Sequence, residues 1–262
     1  MKDLLIVKSV TKVFGGLIAL NNVDMVLREG QILGLIGPNG AGKTTLFNCI
    51  LSTFPVSSGR IYYRGKDITE LKPPEIARLG ISRTFQLLQL FGGMTVLDNV
   101  MIGAHVLGHA GAVAAVVNSR NTKKEEKKIR ETALYYLDLL NLTDKRDLNV
   151  KLLSYGDQRR VEIARALASD PDLILLDEPA AGMNIRESID LTEFILWIRN
   201  ELKKSILIIE HNMRVIMPIA DHIVVLNQGE KIFEGNKHNV QSSPEVVEAY
   251  LGKDYVQKMQ ME

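Results

Sequence analysis

Nine consecutive residues decide how this sequence is interpreted: Gly37-Pro38-Asn39-Gly40-Ala41-Gly42-Lys43-Thr44-Thr45. They fit the pattern G-x-x-x-x-G-K-[ST] of a phosphate-binding loop. Residues 31–36 form a short, mostly apolar segment, which predicts a strand before the loop. Residues 46–51 are predicted to continue as a helix after it. In this context Lys43 supplies a positive charge for the β- and γ-phosphates of a nucleotide, and Thr44 offers a hydroxyl to Mg²⁺.

Bulk properties restrict the class of protein. The 262 residues suffice for one or two domains, and a net charge of +1 creates no overall field that attracts nucleic acid. The single cysteine, Cys49, cannot form an internal disulfide, which is typical of a reducing cytoplasm. No signal peptide opens the chain, and glycines and histidines interrupt its longest apolar stretch, residues 102–117. We therefore expect a protein that serves any membrane process as a peripheral partner.

Three segments place polar residues after apolar strands. Residues 173–176 are uninterrupted aliphatics, which predicts a strand buried in a parallel sheet, and Asp177 and Glu178 follow directly. Asp177 can reach the Mg²⁺ shell, and Glu178 can polarise an attacking water. His211 follows a similar strand, where it either hydrogen-bonds a γ-phosphate or is structural. Gln86 also ends a strand, where it either ligates a metal, positions a water or is simply solvated.

The remaining pattern is mixed α and β. Residues 4–10 and 23–27 predict strands, and Phe14 between them is either a platform for a base or a core aromatic. A helix is predicted over residues 189–202. Ser154 begins another helix, either as a plain cap or as part of an anion site. A helical block is expected from about Thr95 to Asn149, with an apolar stripe of Ile129, Ala133, Leu137 and Leu140.

The ordered set of motifs resembles one family, the ATP-binding cassette (ABC) ATPases. It comprises the phosphate loop, Gln86, the segment LSYGDQ at residues 153–158, Asp177-Glu178 and His211. The resemblance implies an α/β fold of the P-loop NTPase type, with a RecA-like core, an antiparallel β subdomain and a helical subdomain. It assigns residues 1–94 and 150–240 to the core with its β subdomain, 95–149 to the helical subdomain, and 241–262 to a C-terminal helix and tail.

The same resemblance implies roles for single residues. Phe14 matches the aromatic that stacks on adenine, and Gln86 matches the glutamine that touches Mg²⁺ and senses the membrane subunit. Ser154 and Gly156 match signature residues that contact the γ-phosphate of ATP bound to the opposite subunit. The implied catalytic residues are Glu178 as general base, His211 as switch histidine, Gln86 and Lys43. The implied metal ligands are Thr44, Gln86 and Asp177, and the nucleotide site comprises residues 37–45 with Phe14, Ser154 and Gly156.

Within the family, the chain resembles the ATPase subunits of branched-chain amino-acid importers, notably at residues 82–86, 94–100, 180–184, 209–213 and 249–252. This implies ATP and Mg²⁺ as cofactors. The implied partners are a second ABC ATPase subunit, identical or homologous, membrane permease subunits and, indirectly, a substrate-binding protein, with no nucleic acid. The implied location is peripheral, on the cytoplasmic face of the cell membrane. The alternatives are a lipopolysaccharide-export-type ATPase and a soluble ABC ATPase acting on nucleic acid or ribosomes.

Four positions depart from the general family pattern. Tyr155 stands where the signature usually has glycine, and Asp157 where it usually has glutamine. In the loop after Glu178, Ala181 replaces a serine and Asn184 replaces an aspartate. These departures affect the contacts expected across a dimer more than those of Lys43 and Glu178.

Overall fold

A computed structural model describes residues 2–84, 88–105 and 120–251. In chain order, its strands and helices are β1 (Asp3–Phe14), β2 (Leu17–Arg28), β3 (Ile32–Ile36), α1 (Lys43–Ile50), β4 (Ser58–Tyr63), β5 (Lys66–Asp67), α2 (Pro73–Arg78), β6 (Ile81–Arg83), α3 (Val96–Ala104), α4 (Arg120–Leu139), α5 (Tyr155–Leu167), β7 (Leu173–Asp177), α6 (Ile185–Glu201), β8 (Ser205–Ile209), α7 (Met213–Ile219), β9 (His222–Asn227), β10 (Glu230–Gly235), α8 (Lys237–Ser242) and α9 (Pro244–Leu251). The chain divides into two units, the first comprising Met1–Ile76 and Leu175–Glu262 and the second Ala77–Ile174.

The first unit contains an antiparallel sheet with the strand order β2-β1-β4-β5. The predicted strands at residues 4–10 and 23–27 are present but too short. β1 continues to Phe14 and β2 begins at Leu17, because the two strands pair down to these residues. The turn between them has Gly15 at a φ of 56°, a backbone conformation that glycine adopts without steric cost. Pairing between the two strands therefore extends both of them as far as this turn.

The nucleotide-loop strand lies in a second sheet of the first unit. Strands of this sheet follow the order β10-β9-β3-β8-β7, and β3 pairs in parallel with both β8 and β9. All five residues of β3, β7 and β8 are buried, as the continuous aliphatic runs predict for strands covered on both faces. β9 and β10 form an antiparallel hairpin at the sheet edge. The ends of β7 and β8 lie side by side, since Glu178 N donates to Ile209 O at 3.0 Å.

Helix α6 begins one turn earlier than predicted, at Ile185 instead of residue 189. Asn184 and Glu187 form a reciprocal capping box: Glu187 N donates to Asn184 Oδ1 at 3.0 Å, and Asn184 N donates to Glu187 Oε2 at 2.9 Å. Two backbone donors of the first turn are thereby satisfied. The first turn was missed because it carries no apolar stripe, with Ile185 and Arg186 exposed, although the Asn-x-x-Glu spacing is a recognisable cap.

The second unit packs α3, α4 and α5 together. Helix α3 starts at a capping box of Thr95 and Asp98. Gly103 lies so close to the carbonyl oxygen of Arg165 that a Cβ at this position would overlap it, so the two helix backbones are in direct contact. The apolar stripe predicted on α4 and the turn after it is confirmed, because all four of its members are buried: Ile129, Ala133, Leu137 and Leu140.

The predicted helical subdomain, residues 95–149, falls inside the second unit, which extends further at both ends. Its exact bounds stay a prediction. Gln86 and the predicted tail at residues 252–262 lie outside the described residues. Across the described part of the chain, no helix is both long and apolar enough to span a bilayer.

Candidate nucleotide site

The phosphate loop connects β3 to α1 in the first unit. Gly37, Gly40 and Gly42 have φ values of 150°, 80° and 99°, which a residue with a Cβ rarely adopts. At Gly37 a Cβ would also overlap the carbonyl oxygen of Leu226. The loop is thus held against β9, with Asn39 and Gly40 exposed to solvent. Exposed backbone at a helix N-terminus is the arrangement that binds phosphate.

The lysine of the loop is held by the loop itself. Lys43 is buried, and its Nζ donates to Gly37 O at 2.8 Å and to Pro38 O at 2.9 Å. Burial lowers the pKa of Lys43, while the nearby carboxylates of Glu178 and Asp177 oppose that shift. The ammonium group therefore already has oxygen partners, which phosphate oxygens would replace. The hydroxyl-bearing neighbour Thr44 is exposed at the first turn of α1.

Two carboxylates follow each other at the end of β7. Asp177 is 1% exposed, whereas the side chain of Glu178 is 16% exposed. Glu178 has a φ of 45°, an uncommon conformation for a residue with a Cβ that costs on the order of 1–3 kcal/mol. His211, with a side chain 56% exposed, places Nδ1 3.6 Å from Glu178 Oε1. The structure thus brings Lys43, Asp177, Glu178 and His211 to the same end of the parallel strands.

Sequence reasoning missed a further acid at this edge, Glu210. Its side chain is buried and accepts hydrogen bonds from Ala180 N at 3.0 Å and from His211 N and Asn212 N at 3.2 Å each. Burial raises the pKa of Glu210, against the backbone N–H groups that favour its charged form. The sequence signal that could have identified Glu210 is its position directly after a run of aliphatic residues. Its partner Ala180 is close only because β7 and β8 are neighbours.

Phe14 lies at the end of β1 and is 39% exposed. Its ring contacts Phe54 edge-on, with ring centroids 5.3 Å apart, and Lys12 Nζ lies 4.6 Å from its centroid. The ring is therefore held on one side and partly open to solvent. This leaves aromatic surface on which a base can stack.

Ser154 and Gly156 belong to the second unit, at the N-terminus of α5. Ser154 is exposed, and its Oγ accepts a hydrogen bond from Asp157 N at 3.2 Å, as the capping pattern predicts. Lys145 Nζ lies 2.7 Å from Asp157 Oδ2. Burial raises the pKa of Asp157, but hydrogen bonds from Lys145 and Ser154 outweigh this and lower it overall. The acid that replaces the usual glutamine is thus paired with a cation.

The second unit also contains a cavity of about 310 Å³. Arg165 donates to Gln89 O at 2.5 Å, and its guanidinium carbon lies 6.0 Å from the centroid of the Phe91 ring. Phe91 is 49% exposed, so an aromatic ring and a cation share this opening. The cavity is lined by Ser82, Arg83, Gln89, Phe91, Ile102, Gly103, Arg165, Ala166 and Ser169.

Two of the three predicted metal ligands lie in the described part of the chain. Thr44 offers a hydroxyl and Asp177 a carboxylate, the hard oxygen ligands that Mg²⁺ prefers. The described residues contain no group of three or more His, Cys, Asp or Glu side chains that could hold a metal alone. This donor set suits Mg²⁺, which usually keeps waters and binds through one or two carboxylates together with phosphates.

The fold and the site define a phosphate-loop ATPase. A profile of the family described as ABC transporter matches residues 20–181. The chain belongs to this family, and it is an ABC ATPase that binds nucleotide and hydrolyses ATP.

Individual relatives resemble the chain over nearly its whole length. The high-affinity branched-chain amino acid transport ATP-binding protein BraF of Pseudomonas aeruginosa is 39% identical over 252 residues, covering 96% of this chain and 99% of that protein. The corresponding protein LivG of Salmonella typhimurium is 40% identical over the same lengths. A solved nucleotide-free ATP-binding cassette from an ABC transporter has a TM-score of 0.84 at 35% identity, covering 96% of this chain and all of that one.

Proposed function

We propose that this chain is the ATP-hydrolysing subunit of an importer for branched-chain amino acids. The observation that carries the proposal is the similarity to the named branched-chain amino acid transport proteins along 96% of the chain. Transport would be powered by ATP-driven closure of two such subunits against membrane permeases. The permeases and a substrate-binding protein, rather than this chain, would contact the amino acid.

Residues 37–45 would cradle the phosphates of ATP, and Phe14 would stack on the adenine. Lys43 would exchange the carbonyl oxygens of Gly37 and Pro38 for β- and γ-phosphate oxygens, so that a buried ammonium keeps oxygen partners throughout. Thr44, Asp177 and Gln86 would hold Mg²⁺, which neutralises phosphate charge when bound.

The hydrolytic step would use Glu178 and His211. Glu178 would accept a proton from the attacking water. The positive φ of Glu178 supports this role, because strained backbone conformations are concentrated at functional sites. His211, whose Nδ1 lies 3.6 Å from Glu178 Oε1, would contact the γ-phosphate. In-line attack on phosphate needs mainly such positioning and charge neutralisation.

The second subunit would complete the site. Ser154 and Gly156 of one subunit would contact the γ-phosphate bound to the other, with the N-terminus of α5 favouring the negative charge. A solved ABC transporter cassette that is 27% identical, with a TM-score of 0.74, is described as dimeric. The partner here would be an identical chain or a homologue.

The cavity of the second unit would receive a helix of a membrane permease, which would hold this chain as a peripheral protein on the cytoplasmic face of the membrane. Phe91 offers apolar area, and Arg83 and Arg165 offer charge to such a helix. No nucleic-acid partner is proposed, because the net charge of +1 offers no basic field.

Glu178→Gln tests the proposal. We expect the variant to bind ATP while its turnover falls at least about 100-fold, because the amide cannot accept the water proton. Glu201→Gln, at the exposed end of α6, is the matched control and should hydrolyse ATP like the wild type. A wild-type rate in Glu178→Gln would contradict the assignment of the base.

The same variant tests the importer assignment. With ATP, it should capture hydrophobic permease subunits and a homologous or identical ATPase from solubilised membranes. The purified complex, reconstituted in vesicles with its binding protein, should then accumulate labelled leucine, isoleucine or valine. Recovery of lipopolysaccharide-export subunits, or of ribosomes or DNA without membrane protein, would overturn the importer assignment and leave the ATP site standing.

A further inference from the structure

The carboxylate of Glu210 joins two segments of the first unit. Glu210 is 1% exposed and follows β8 directly. Its Oε1 accepts from Ala180 N at 3.0 Å, in the turn after β7. Its Oε2 accepts from His211 N and Asn212 N, at 3.2 Å each, in the turn before α7. Both oxygens are therefore occupied, each by a different segment.

These two segments carry the groups placed at the γ-phosphate. Ala180 is two residues after Glu178, and the short turn between them is closed by Ala181 N donating to Glu178 O at 3.1 Å. On the other side, the hydrogen bond from His211 N fixes the backbone from which the imidazole extends. The Glu178 carboxylate and the His211 ring end 3.6 Å apart. Glu210 thus bridges the two turns next to these groups, beyond the direct backbone hydrogen bond from Glu178 N to Ile209 O.

A buried carboxylate is a costly way to connect two loops. Removal of a charge from water is unfavourable unless charge-assisted hydrogen bonds offset the lost hydration, as the three N–H groups do here. A carboxylate also has a property that no neutral side chain of its size shares, because both of its oxygens accept. In this structure the two segments approach different oxygens, so both oxygens must accept.

We propose that Glu210 is a positioning residue for ATP hydrolysis, which holds Glu178 and His211 at the separation that the reaction needs. The inference rests on the roles proposed above for those two residues. In the described part of the chain, the three hydrogen bonds to Glu210 come from backbone N–H groups, so the proposed role does not involve contact with the nucleotide. Removal of Glu210 should therefore slow the chemical step and spare nucleotide binding by the phosphate loop.

Glu210→Gln is the sharpest test. The amide has nearly the same shape but only one acceptor oxygen, so its NH₂ group must face either Ala180 N–H or the N–H groups of His211 and Asn212. Misplacement of catalytic groups by about 1 Å costs on the order of 100-fold in rate. We expect kcat to fall about 10- to 100-fold, with KM for ATP and the affinity for a fluorescent ATP analogue changed less than about threefold.

A second measurement separates positioning from general destabilisation. Amide hydrogen exchange of peptides covering residues 178–184 and 210–214 should accelerate in Glu210→Gln, while exchange in the phosphate loop stays unchanged. Glu75→Gln is the matched control, because Glu75 also accepts a backbone N–H, from Lys72 at 2.8 Å, at the start of α2. That variant should keep the wild-type kcat and exchange pattern.

The outcomes are distinct. A Glu210→Gln protein with wild-type kcat overturns the inference, as does a loss of kcat matched by an equal loss of ATP affinity. If Glu210→Gln does not fold, Glu210→Asp replaces it, because its shorter side chain cannot reach both segments; a wild-type kcat there equally overturns the inference. Hydrolysis by Glu178→Gln at the wild-type rate would instead contradict the role proposed for Glu178 in the proposed function.

Discussion

The ion pair of Arg159 and Glu162 on α5 allows a quantitative prediction of stability. Both side chains are 0% exposed, and Arg159 Nη1 lies 2.7 Å from Glu162 Oε2. Tyr155 Oη lies 3.3 Å from Arg159 Nη2, and Arg165 Nη2 lies 4.0 Å from Glu162 Oε1. Arg159→Met keeps most of the side-chain volume but removes the guanidinium closest to the buried carboxylate. Breaking a fully buried pair in this way costs about 3–5 kcal/mol.

For a chain of this size, that loss corresponds to a melting temperature lower by about 6–20 °C. Lys127→Met is the control, since Lys127 and Glu131 form an exposed pair 3.7 Å apart in the same unit. It should cost about 0.5 kcal/mol or less. Replacement of both charges of the pair, Arg159→Met with Glu162→Leu, should recover part of the loss, because neither charge of the pair is then left buried without its partner, although Arg165 loses its acidic neighbour.

The assay is thermal unfolding, monitored by circular dichroism at equal protein concentration. The stabilities of the wild type, the two single variants and the double variant form a double-mutant cycle. The reasoning is refuted if Arg159→Met melts within about 2 °C of Lys127→Met. It is equally refuted if the double variant loses the sum of the two single losses, because the two charges would then be energetically independent.

Three further predictions follow from single contacts. Gly37→Ala should weaken binding of a fluorescent ATP analogue at least about tenfold, because the new Cβ meets the carbonyl oxygen of Leu226 at a strained φ. Lys145→Gln should cost about 1 kcal/mol at pH 7; since the folded pKa of Asp157 is depressed, thermal melts should show this difference disappearing as the pH falls below about 4. Burial raises the pKa of Cys49 to about 11, so a thiol reagent at pH 8 should label it far more slowly in the native than in the unfolded protein.

Local sequence patterns predicted the elements whose conformation depends on neighbouring residues in the chain. The glycine spacing of residues 37–45 predicts a phosphate loop because only glycine adopts its dihedral angles without cost. The aliphatic runs before Asp177 and before Glu210 predict buried strands, and β7 and β8 are buried throughout. The extents of β1 and β2 were predicted too short, because the two strands pair with each other beyond the predicted ends, as far as Phe14 and Leu17.

The sequence by itself determined the class of fold and the chemistry of the phosphate loop, since both follow from residue types at fixed spacing. Tertiary structure alone decided that Glu210 accepts from Ala180 as well as from its own neighbours. It also decided that His211 lies 3.6 Å from Glu178. These contacts join segments about 30 residues apart in the chain, which meet because β7 and β8 are adjacent in the sheet. Strand order is set by the packing of the whole unit, and no local pattern encodes it.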